Sequence, residues 1–109
     1  MGYYAGWTDE QRLLHRARVF RTRYGISLEM LAAMYEAQEG CCAICGNAGE
    51  APAKAEKGRR DETLHVDHDH ESKHVRGLLC NRCNLGLGFF GDNVDALIRA
   101  AAYLVDRRR

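Results

Sequence analysis

The run Asp67-His68-Asp69-His70 lies between two Cys-x-x-Cys pairs, Cys42-Ala-Ile-Cys45 and Cys80-Asn-Arg-Cys83, and Asn84 follows the last cysteine directly. Thiolates spaced two residues apart on a tight turn can converge on one tetrahedral Zn²⁺. Carboxylate and amide oxygens are instead the ligands that Mg²⁺ or Mn²⁺ prefers. The spacing therefore predicts a structural zinc site around a second, catalytic metal site.

Length and cysteine usage indicate what kind of small protein this is. The 109 residues allow one modest domain, and a domain of this size gains from a stabilising metal. Five cysteines is an odd number, and no basic and then apolar leader opens the chain. We therefore expect a reducing cytoplasm, where paired cysteines are more often metal ligands than disulfides. The competing interpretation, a thioredoxin-like redox pair, needs only one Cys-x-x-Cys, set in a βαβ pattern that neither pair has.

Cys41 offers an alternative register for the first pair, since it could replace Cys42 as a ligand. Only Cys42 stands at the spacing that matches the second pair. The expected zinc ligands are therefore Cys42, Cys45, Cys80 and Cys83, with Cys41 as a bystander thiol.

The charge balance says little about partners, but the charge distribution says more. Sixteen Lys and Arg against fifteen Asp and Glu give a net charge of +1, so no global basic field indicates nucleic acid. Residues 1–25 nevertheless hold five arginines against two carboxylates. Two interpretations stay open, a solvated helix face and a phosphate-binding surface. No apolar stretch approaches the roughly 18 residues of a membrane span, so we expect no membrane partner.

Two helices are predicted at the N-terminal end. Thr8 begins a capping-box pattern, and the helix that follows should run to about Arg23. Ser27 is a suitable N-cap for a second helix, which ends near Gly40. We expect this helix pair to pack on the metal core as a scaffold.

The rest of the chain predicts a β-hairpin flanked by helices. Residues 46–63 contain the only proline and almost no large apolar side chain, which favours a solvated loop. Short alternating or apolar runs at 64–68 and 75–80 indicate two strands of a hairpin. A short helix over 81–87 would be stopped by the glycines around its end, and Asp92 would cap a last helix with one apolar stripe.

The segment from His65 to Asn84 resembles the ββα-metal fold of HNH nucleases (His-Me finger nucleases), in particular the phage recombination endonuclease VII family. The motifs are a Cys-x-x-Cys pair, Asp-His-Asp-His and Val-Arg-Gly-Leu-Leu-Cys-Asn-x-Cys-Asn, in that order, and the resemblance covers about residues 40–105. It implies an α+β fold with a small zinc-stabilised ββα-metal core, two N-terminal helices and a C-terminal helix. The chain would be a single HNH endonuclease domain, with a helical extension at 1–40, the core at 41–91 and the last helix at 92–109.

The resemblance also implies roles for the polar residues. Asp67 and Asn84 would be ligands of a catalytic Mg²⁺ or Mn²⁺. His68 would be the general base, since an imidazole with an ordinary pKa of about 6.5 can take a proton near neutral pH. His70 would contact the phosphate or assist proton transfer. Simple alternation points His68 away from Asp67, so a bend at the strand end, or the family's loop geometry, must bring its imidazole to the substrate.

Four arginines are candidate contacts to DNA phosphates: Arg12, Arg16, Arg76 and Arg82. A guanidinium can bind a phosphate bidentately, and Arg76 lies on the second strand, near the expected metal site. For Arg76 an ion pair with a carboxylate of the hairpin is an equal alternative.

The function that the resemblance implies is a metal-dependent endonuclease that hydrolyses DNA phosphodiester bonds, by nicking or double-strand cleavage, and leaves 5′-phosphate and 3′-hydroxyl ends. One alternative is a dimeric resolvase of branched DNA (Holliday junctions). Against it, Leu85-Gly86-Leu87-Gly88 lacks the acidic residue that the family's phage resolvase places there, and the chain ends soon after the last helix. The other alternative is a non-catalytic zinc-ribbon module that binds DNA or protein.

We expect a monomer or homodimer in the cytoplasm of a phage-infected or prophage-bearing bacterial cell. Its main partner would be DNA, chiefly through backbone phosphates, since no recognition helix or repeat array is visible. Phage packaging or recombination proteins are further candidate partners.

Overall fold

The computed structural model describes residues 5–52 and 60–107. Within these residues, four α-helices and one two-stranded antiparallel sheet form a small mixed α+β domain. The elements in chain order are α1 (Asp9–Tyr24), α2 (Leu28–Ala37), a 3-10 turn (Arg60–Glu62), β1 (Leu64–His68), β2 (Val75–Cys80), α3 (Asn81–Phe89) and α4 (Val94–Asp106). The predicted α+β class is confirmed at this level.

The starts of the two N-terminal helices are fixed by the predicted caps. Thr8 Oγ1 accepts a hydrogen bond from the Gln11 N–H at 3.1 Å, and the Thr8 N–H donates to Gln11 Oε1 at 2.8 Å. Gly25, with φ 69°, ends α1 in the left-handed conformation that glycine adopts without a steric penalty. Ser27 Oγ accepts from the Met30 N–H at 3.1 Å and so caps α2.

The hairpin carries an irregularity at its open end. Asp67 pairs with Gly77, but His68 pairs with Val75, so Arg76 is an extra residue on β2. Such a β-bulge bends the strand locally and re-aims the side chains beside it. The bulged strand is β2, and His68 at the end of β1 lies beside the irregularity.

The buried core lies between α2, the hairpin and the first cysteine loop. Its apolar members are Ile26, Leu31, Cys42, Leu64, Val66, Leu78 and Leu79. The side-chain amide of Gln38 joins the end of α2 to the first cysteine loop and to β2. Its Nε2 donates to the carbonyls of Cys41 and Leu78, at 2.7 and 2.9 Å. Its Oε1 accepts from the Leu78 N–H at 3.0 Å. A Cβ at Gly77 would lie 3.3 Å from this Oε1, so the glycine leaves room for the amide.

The scaffold prediction holds for only part of α1. Phe20 and Tyr24, in its last turns, pack against the core. Leu13 and Leu14, in its first half, are 52% and 60% exposed. The apolar stripe predicted for α4 exists but is exposed as well, with Val94, Ile98, Leu104 and Val105 between 62% and 67% accessible.

Two predicted boundaries are wrong. Asp92 does not cap α4, because its backbone has φ 56° and an N-cap needs an extended conformation; Asn93 Oδ1 accepts from the Ala96 N–H at 2.9 Å instead. For α3, predicted to run to about Leu87, Gly86 and Gly88 do not stop the helix, which continues to Phe89; the third predicted stop, Gly91, follows its C-cap with φ 62°. Glycine lowers helix stability by about 1 kcal/mol per residue, which is not enough to end a helix held at its start by the second cysteine pair.

The predicted solvated loop at 46–63 is corrected at its ends, while its centre at 53–59 lies outside the described residues. Pro52 and Thr63 are buried. The Glu50 N–H donates to the Glu62 carbonyl at 2.8 Å, and the Leu64 N–H donates to the Glu50 carbonyl at 2.9 Å. Both ends of the loop are thus tied to the start of β1. In the described ranges, no helix combines the length and the apolar character needed to cross a lipid bilayer.

Candidate metal centre and active site

The two Cys-x-x-Cys pairs meet where β2 passes into α3. The sulfurs of Cys42, Cys45, Cys80 and Cys83 all lie within 4.8 Å of one another, and the sulfurs of Cys45 and Cys80 are 3.7 Å apart. Ligands about 2.3 Å from a tetrahedral Zn²⁺ stand about 3.8 Å from one another, so this sulfur set fits zinc. The four cysteines could therefore bind a structural zinc ion.

The fifth cysteine takes no part in this cluster. Cys41 directs its thiol to the carbonyl of Glu39 at 3.4 Å. The neighbouring Cys42 side chain is buried and joins the other three sulfurs. The cysteines that the structure groups together are the four predicted from the spacing.

Backbone N–H groups point at the sulfurs and favour a thiolate. The Ile44 N–H donates to Cys42 Sγ, and the Cys83 N–H donates to Cys80 Sγ, both at 3.4 Å. Burial opposes ionisation of Cys42, but hydrogen bonds from the backbone of Cys80, Cys45 and Ile44 lower its pKa to about 6. Burial, together with hydrogen bonds to the other thiols, raises the pKa of Cys83 to about 12. Zinc binding would deprotonate these thiols and release their protons.

A chain of charged groups runs outward from the bulge. Arg76 Nε lies 2.7 Å from Asp67 Oδ2, and Arg76 Nη2 lies 2.9 Å from Asp67 Oδ1. The same Nη2 lies 3.3 Å from Asp92 Oδ2, which is 3.8 Å from His70 Nε2. The hydrogen bond with Asp67 is the main cause that raises the pKa of Arg76, although burial opposes it. Of the two alternatives for Arg76, the structure contains the ion pair with a hairpin carboxylate.

The proposed base, His68, is half-buried at the end of β1 among other rings. Its ring centroid lies 5.6 Å from that of Tyr24 on α1 and 5.1 Å from that of His70. His70 itself is exposed, with 70% of its side chain accessible. His65 lies elsewhere, with Nε2 2.9 Å from the carbonyl of Arg60. The structure thus brings His68 and His70 together and gives His68 an aromatic neighbour.

Asn84 is half-buried on α3 and lines a cleft of about 250 Å³, together with Arg23, Arg60, His65 and apolar residues of α1 and β1. We refer to this as the Asn84 cleft. Within the described residues the Asn84 side chain makes no hydrogen bond. Asp67 lines a different cleft, beside Arg76.

The donor chemistry of Asp67 and Asn84 suits a hard divalent cation. Each Asp67 oxygen accepts one hydrogen bond from Arg76, and a carboxylate oxygen has a second lone pair to offer. The Asn84 amide oxygen is not engaged by any described residue. The two side chains lie on adjoining elements, but the structure does not place them in one cleft.

The remaining predicted contact residues lie on α1 and at the start of α3. Arg12 is 3.8 Å from Asp9 within α1, and Arg16 is half-buried on the same helix. Arg82 is exposed in the first turn of α3. Sequence reasoning missed Tyr24 and Asp92, because neither side chain belongs to the Asp-His-Asp-His motif and each reaches the site only through tertiary contacts.

Comparison with known proteins adds a family to this geometry. A sequence model described as recombination endonuclease VII matches residues 17–106. Over 82 residues, 74% of this chain, the sequence is 45% identical to the gene 59 protein of Mycobacterium phage D29, of which the match covers 44%. Over 84 residues, 76% of this chain, it is 39% identical to the gene 59 protein of Mycobacterium phage L5, of which the match covers 46%. The matched region thus spans less than half the length of either relative. Because the family model covers most of the sequence, this chain belongs to the recombination endonuclease VII family.

Proposed function

We propose that the chain is a metal-dependent endonuclease of the HNH type, which hydrolyses phosphodiester bonds in DNA. The observation that carries the proposal is the position of Asp67 and His68 at the bulged end of β1, inside a strand-strand-helix unit that is closed by the cysteine cluster. Asn84 stands on the helix of that unit. The family membership supports nuclease chemistry, and the phage origin of the relatives supports a phage setting.

In this proposal Asp67 and Asn84 would hold Mg²⁺ or Mn²⁺, although they line separate clefts in this structure, and zinc would have a structural role at the cysteines. The divalent ion, when bound, neutralises charge on the phosphate and stabilises the leaving oxyanion. His68 accepts a proton from the attacking water as its oxygen bonds to phosphorus. The bond from phosphorus to the 3′ oxygen then breaks, which leaves a 5′-phosphate and a 3′-hydroxyl.

The neighbours of these residues have supporting roles in the proposal. Arg76 orients the carboxylate of Asp67 through its two hydrogen bonds, so we assign it to positioning rather than to phosphate binding. Tyr24 and His70 hold the His68 ring between them. His70 is exposed beside the base and would contact the phosphate. Arg12, Arg16 and Arg82 would contact backbone phosphates.

A second candidate function, dimeric resolution of branched DNA, is favoured by one observation. The apolar stripe of α4 is largely exposed, and a second copy of the chain could cover it. A resolvase would cleave a four-way junction in preference to the matching linear duplexes and would be a dimer by light scattering. A simple nicking enzyme would cut both substrates at similar rates.

The direct test of the proposed function is nicking of supercoiled plasmid by the zinc-loaded protein. Purified protein would be incubated with Mg²⁺, with Mn²⁺ or in buffer freed of divalent ions, beside Asp67→Asn and Asn84→Ala. We expect nicking with at least one ion, none without an added ion, and a loss in both variants at unchanged zinc content. Retained DNA binding without nicking under any ion would instead identify a non-catalytic zinc module.

A further inference from the structure

We propose that Arg23 and Arg60 form a phosphate-binding subsite at the Asn84 cleft, which receives the backbone of double-stranded DNA beside the cleavage site. The inference rests on the proposed function, since it extends the DNA contacts of that same site. No motif of the sequence includes either arginine, and the two come together only through folding. Arg23 lies in the last turn of α1, and Arg60 opens the 3-10 turn before β1.

The chemistry of the cleft suits an anion. The described residues that line it include Arg23, Arg60 and His65 but no carboxylate. Arg60 donates its Nε to Asn81 Oδ1 at 3.3 Å, and its terminal nitrogens have no partner among the described residues. Arg23 is exposed and likewise has no hydrogen bond or ion pair within the described ranges. Guanidinium groups with donors not engaged by the described residues are well suited to bind phosphate oxygens.

A residue of the catalytic unit holds the backbone of Arg60, and Arg23 adjoins another residue that contacts this unit. His65 on β1 contacts the carbonyl of Arg60 at 2.9 Å, which fixes the backbone of the 3-10 turn. Tyr24 follows Arg23 directly, and its ring lies 5.6 Å from that of His68. A phosphate in the cleft would therefore lie close to the proposed base without occupying the Asp67 carboxylate.

The face of α1 that carries Arg23 continues the positive surface away from the cleft. At 3.6 residues per turn, Arg12, Arg16 and Arg23 lie within about 40° of one another, and Arg12 is about 17 Å from Arg23 along the axis. This length corresponds to about five phosphate steps of one DNA strand. Arg18 and Arg21 lie on the opposite flank of the helix, which provides a matched control. The first half of α1 also precedes the family match at 17–106, so this surface is partly outside the family's shared region.

The test compares two double variants of equal charge loss, Arg23→Gln with Arg60→Gln, and Arg18→Gln with Arg21→Gln. Binding of a fluorescent DNA duplex of about 20 base pairs would be measured by anisotropy over a salt series, without added divalent ions, so that no cleavage occurs. We expect the first pair to weaken binding at least about tenfold at low salt and to reduce the slope of log K against log salt by about 1.8, which corresponds to two lost phosphate contacts. The second pair should change the slope by less than about 0.5.

Equal losses of DNA affinity in the two double variants would show only a general attraction between positive charge and DNA, and would overturn the subsite. Unchanged binding by the variant that lacks Arg23 and Arg60 would overturn it as well. Zinc content and the thermal midpoint of all variants would be compared, so that a folding defect is recognised. Because binding is read without catalysis, a failure of the subsite is separate from a failure of nicking. If the subsite is disproved, the unmodified protein could still nick DNA with a divalent ion. Conversely, the variant without Arg23 and Arg60 could lose DNA binding selectively even if the unmodified protein never cuts DNA.

Discussion

Arg76 donates hydrogen bonds to both carboxylate oxygens of Asp67, at 2.7 and 2.9 Å, from the one position where β2 carries an extra residue. Without the bulge, Arg76 would pair opposite His68 and its side chain would be aimed differently. Asp67 is only 8% exposed, so its carboxylate needs a hydrogen-bonding partner inside the protein, and Arg76 supplies it. The bulge thus accompanies a bidentate contact between Arg76 and the carboxylate of the proposed metal ligand.

Replacing Arg76 by alanine should destabilise the fold, because it leaves the buried Asp67 carboxylate without its bidentate partner. We expect a loss of about 1–3 kcal/mol in the free energy of unfolding, below the value for a fully buried pair since Arg76 is one-third exposed. Urea unfolding of the zinc-loaded protein measures it. Arg82→Ala, an exposed arginine without a partner in the described part of the chain, is the control and should change stability by less than about 0.5 kcal/mol. Identical unfolding midpoints would contradict the role given to Arg76.

The cysteine pairs predict a sharp contrast between adjacent positions. Cys42→Ser should lose zinc and much of the cooperative thermal transition, because the metal links the first cysteine loop to the start of α3. Cys41→Ser should keep one zinc per chain, since its thiol contacts only the Glu39 carbonyl among the described residues. A colorimetric zinc assay after thiol modification, together with a thermal scan, distinguishes the two variants. Zinc loss in Cys41→Ser with retention in Cys42→Ser would reverse the assigned register.

Tyr24 should act as a positioning residue for His68. Tyr24→Leu removes the ring beside the imidazole, so we expect kcat for plasmid nicking to fall about tenfold or more with little change in KM, as for a misplaced catalytic group. Tyr24→Phe keeps the ring and should keep most of the activity. Steady-state kinetics with zinc content as a folding check would measure the effect. A loss confined to KM, or equal in the Leu and Phe variants, would contradict this role.

Asp69 should stabilise the hairpin loop in a pH-dependent way. Its Oδ1 accepts from the N–H groups of Glu71 and Ser72, each at 2.9 Å, and hydrogen bonds from Ser72 and then Glu71 lower the pKa of Asp69 below its ordinary value. Because the pKa of Asp69 is lower in the folded state, its contribution to the stability of the loop is complete above about pH 3.9. This contribution is lost as the pH falls through the folded-state pKa.

The measurement for Asp69 is amide hydrogen exchange at Glu71 and Ser72 over a descending pH series. Asp69→Asn keeps the acceptor oxygen but lacks the charge. The difference in exchange protection between this variant and the unmodified chain therefore reports on the Asp69 carboxylate alone, because protonation of the cysteines affects both proteins equally. We expect the difference to shrink as the pH falls. A difference that grows toward acid would show that the carboxylate is not stabilised by these bonds.

The sequence predicts the local elements well because their signals are local. The capping box at Thr8, the cap at Ser27 and the strands at 64–68 and 75–80 each depend on a few consecutive residues. The cysteine register is equally local, since one spacing repeats. These features could be stated before any contact between distant segments was known.

Tertiary contacts account for what the sequence could not predict. Asp92 looks like a helix cap, but it pairs with Arg76 sixteen residues earlier and leaves capping to Asn93. The exposed stripe of α4 has the periodicity of a core-facing helix, and periodicity alone does not say what covers it. The roles of Asp67, His68, His70 and Asn84 come from the family resemblance and remain a proposal.

The most direct test of the proposed catalysis is the initial rate of plasmid nicking by His68→Ala and by His74→Ala, at equal zinc content and with the better of Mg²⁺ and Mn²⁺. His74 is exposed at the other end of the same hairpin loop, so its loss controls for removal of an imidazole. We predict that His68→Ala nicks about 10²–10⁴-fold more slowly, as for removal of a general base, while His74→Ala stays close to the unmodified rate. Full activity of zinc-loaded His68→Ala would contradict the assignment of the base and, with it, the proposed mechanism.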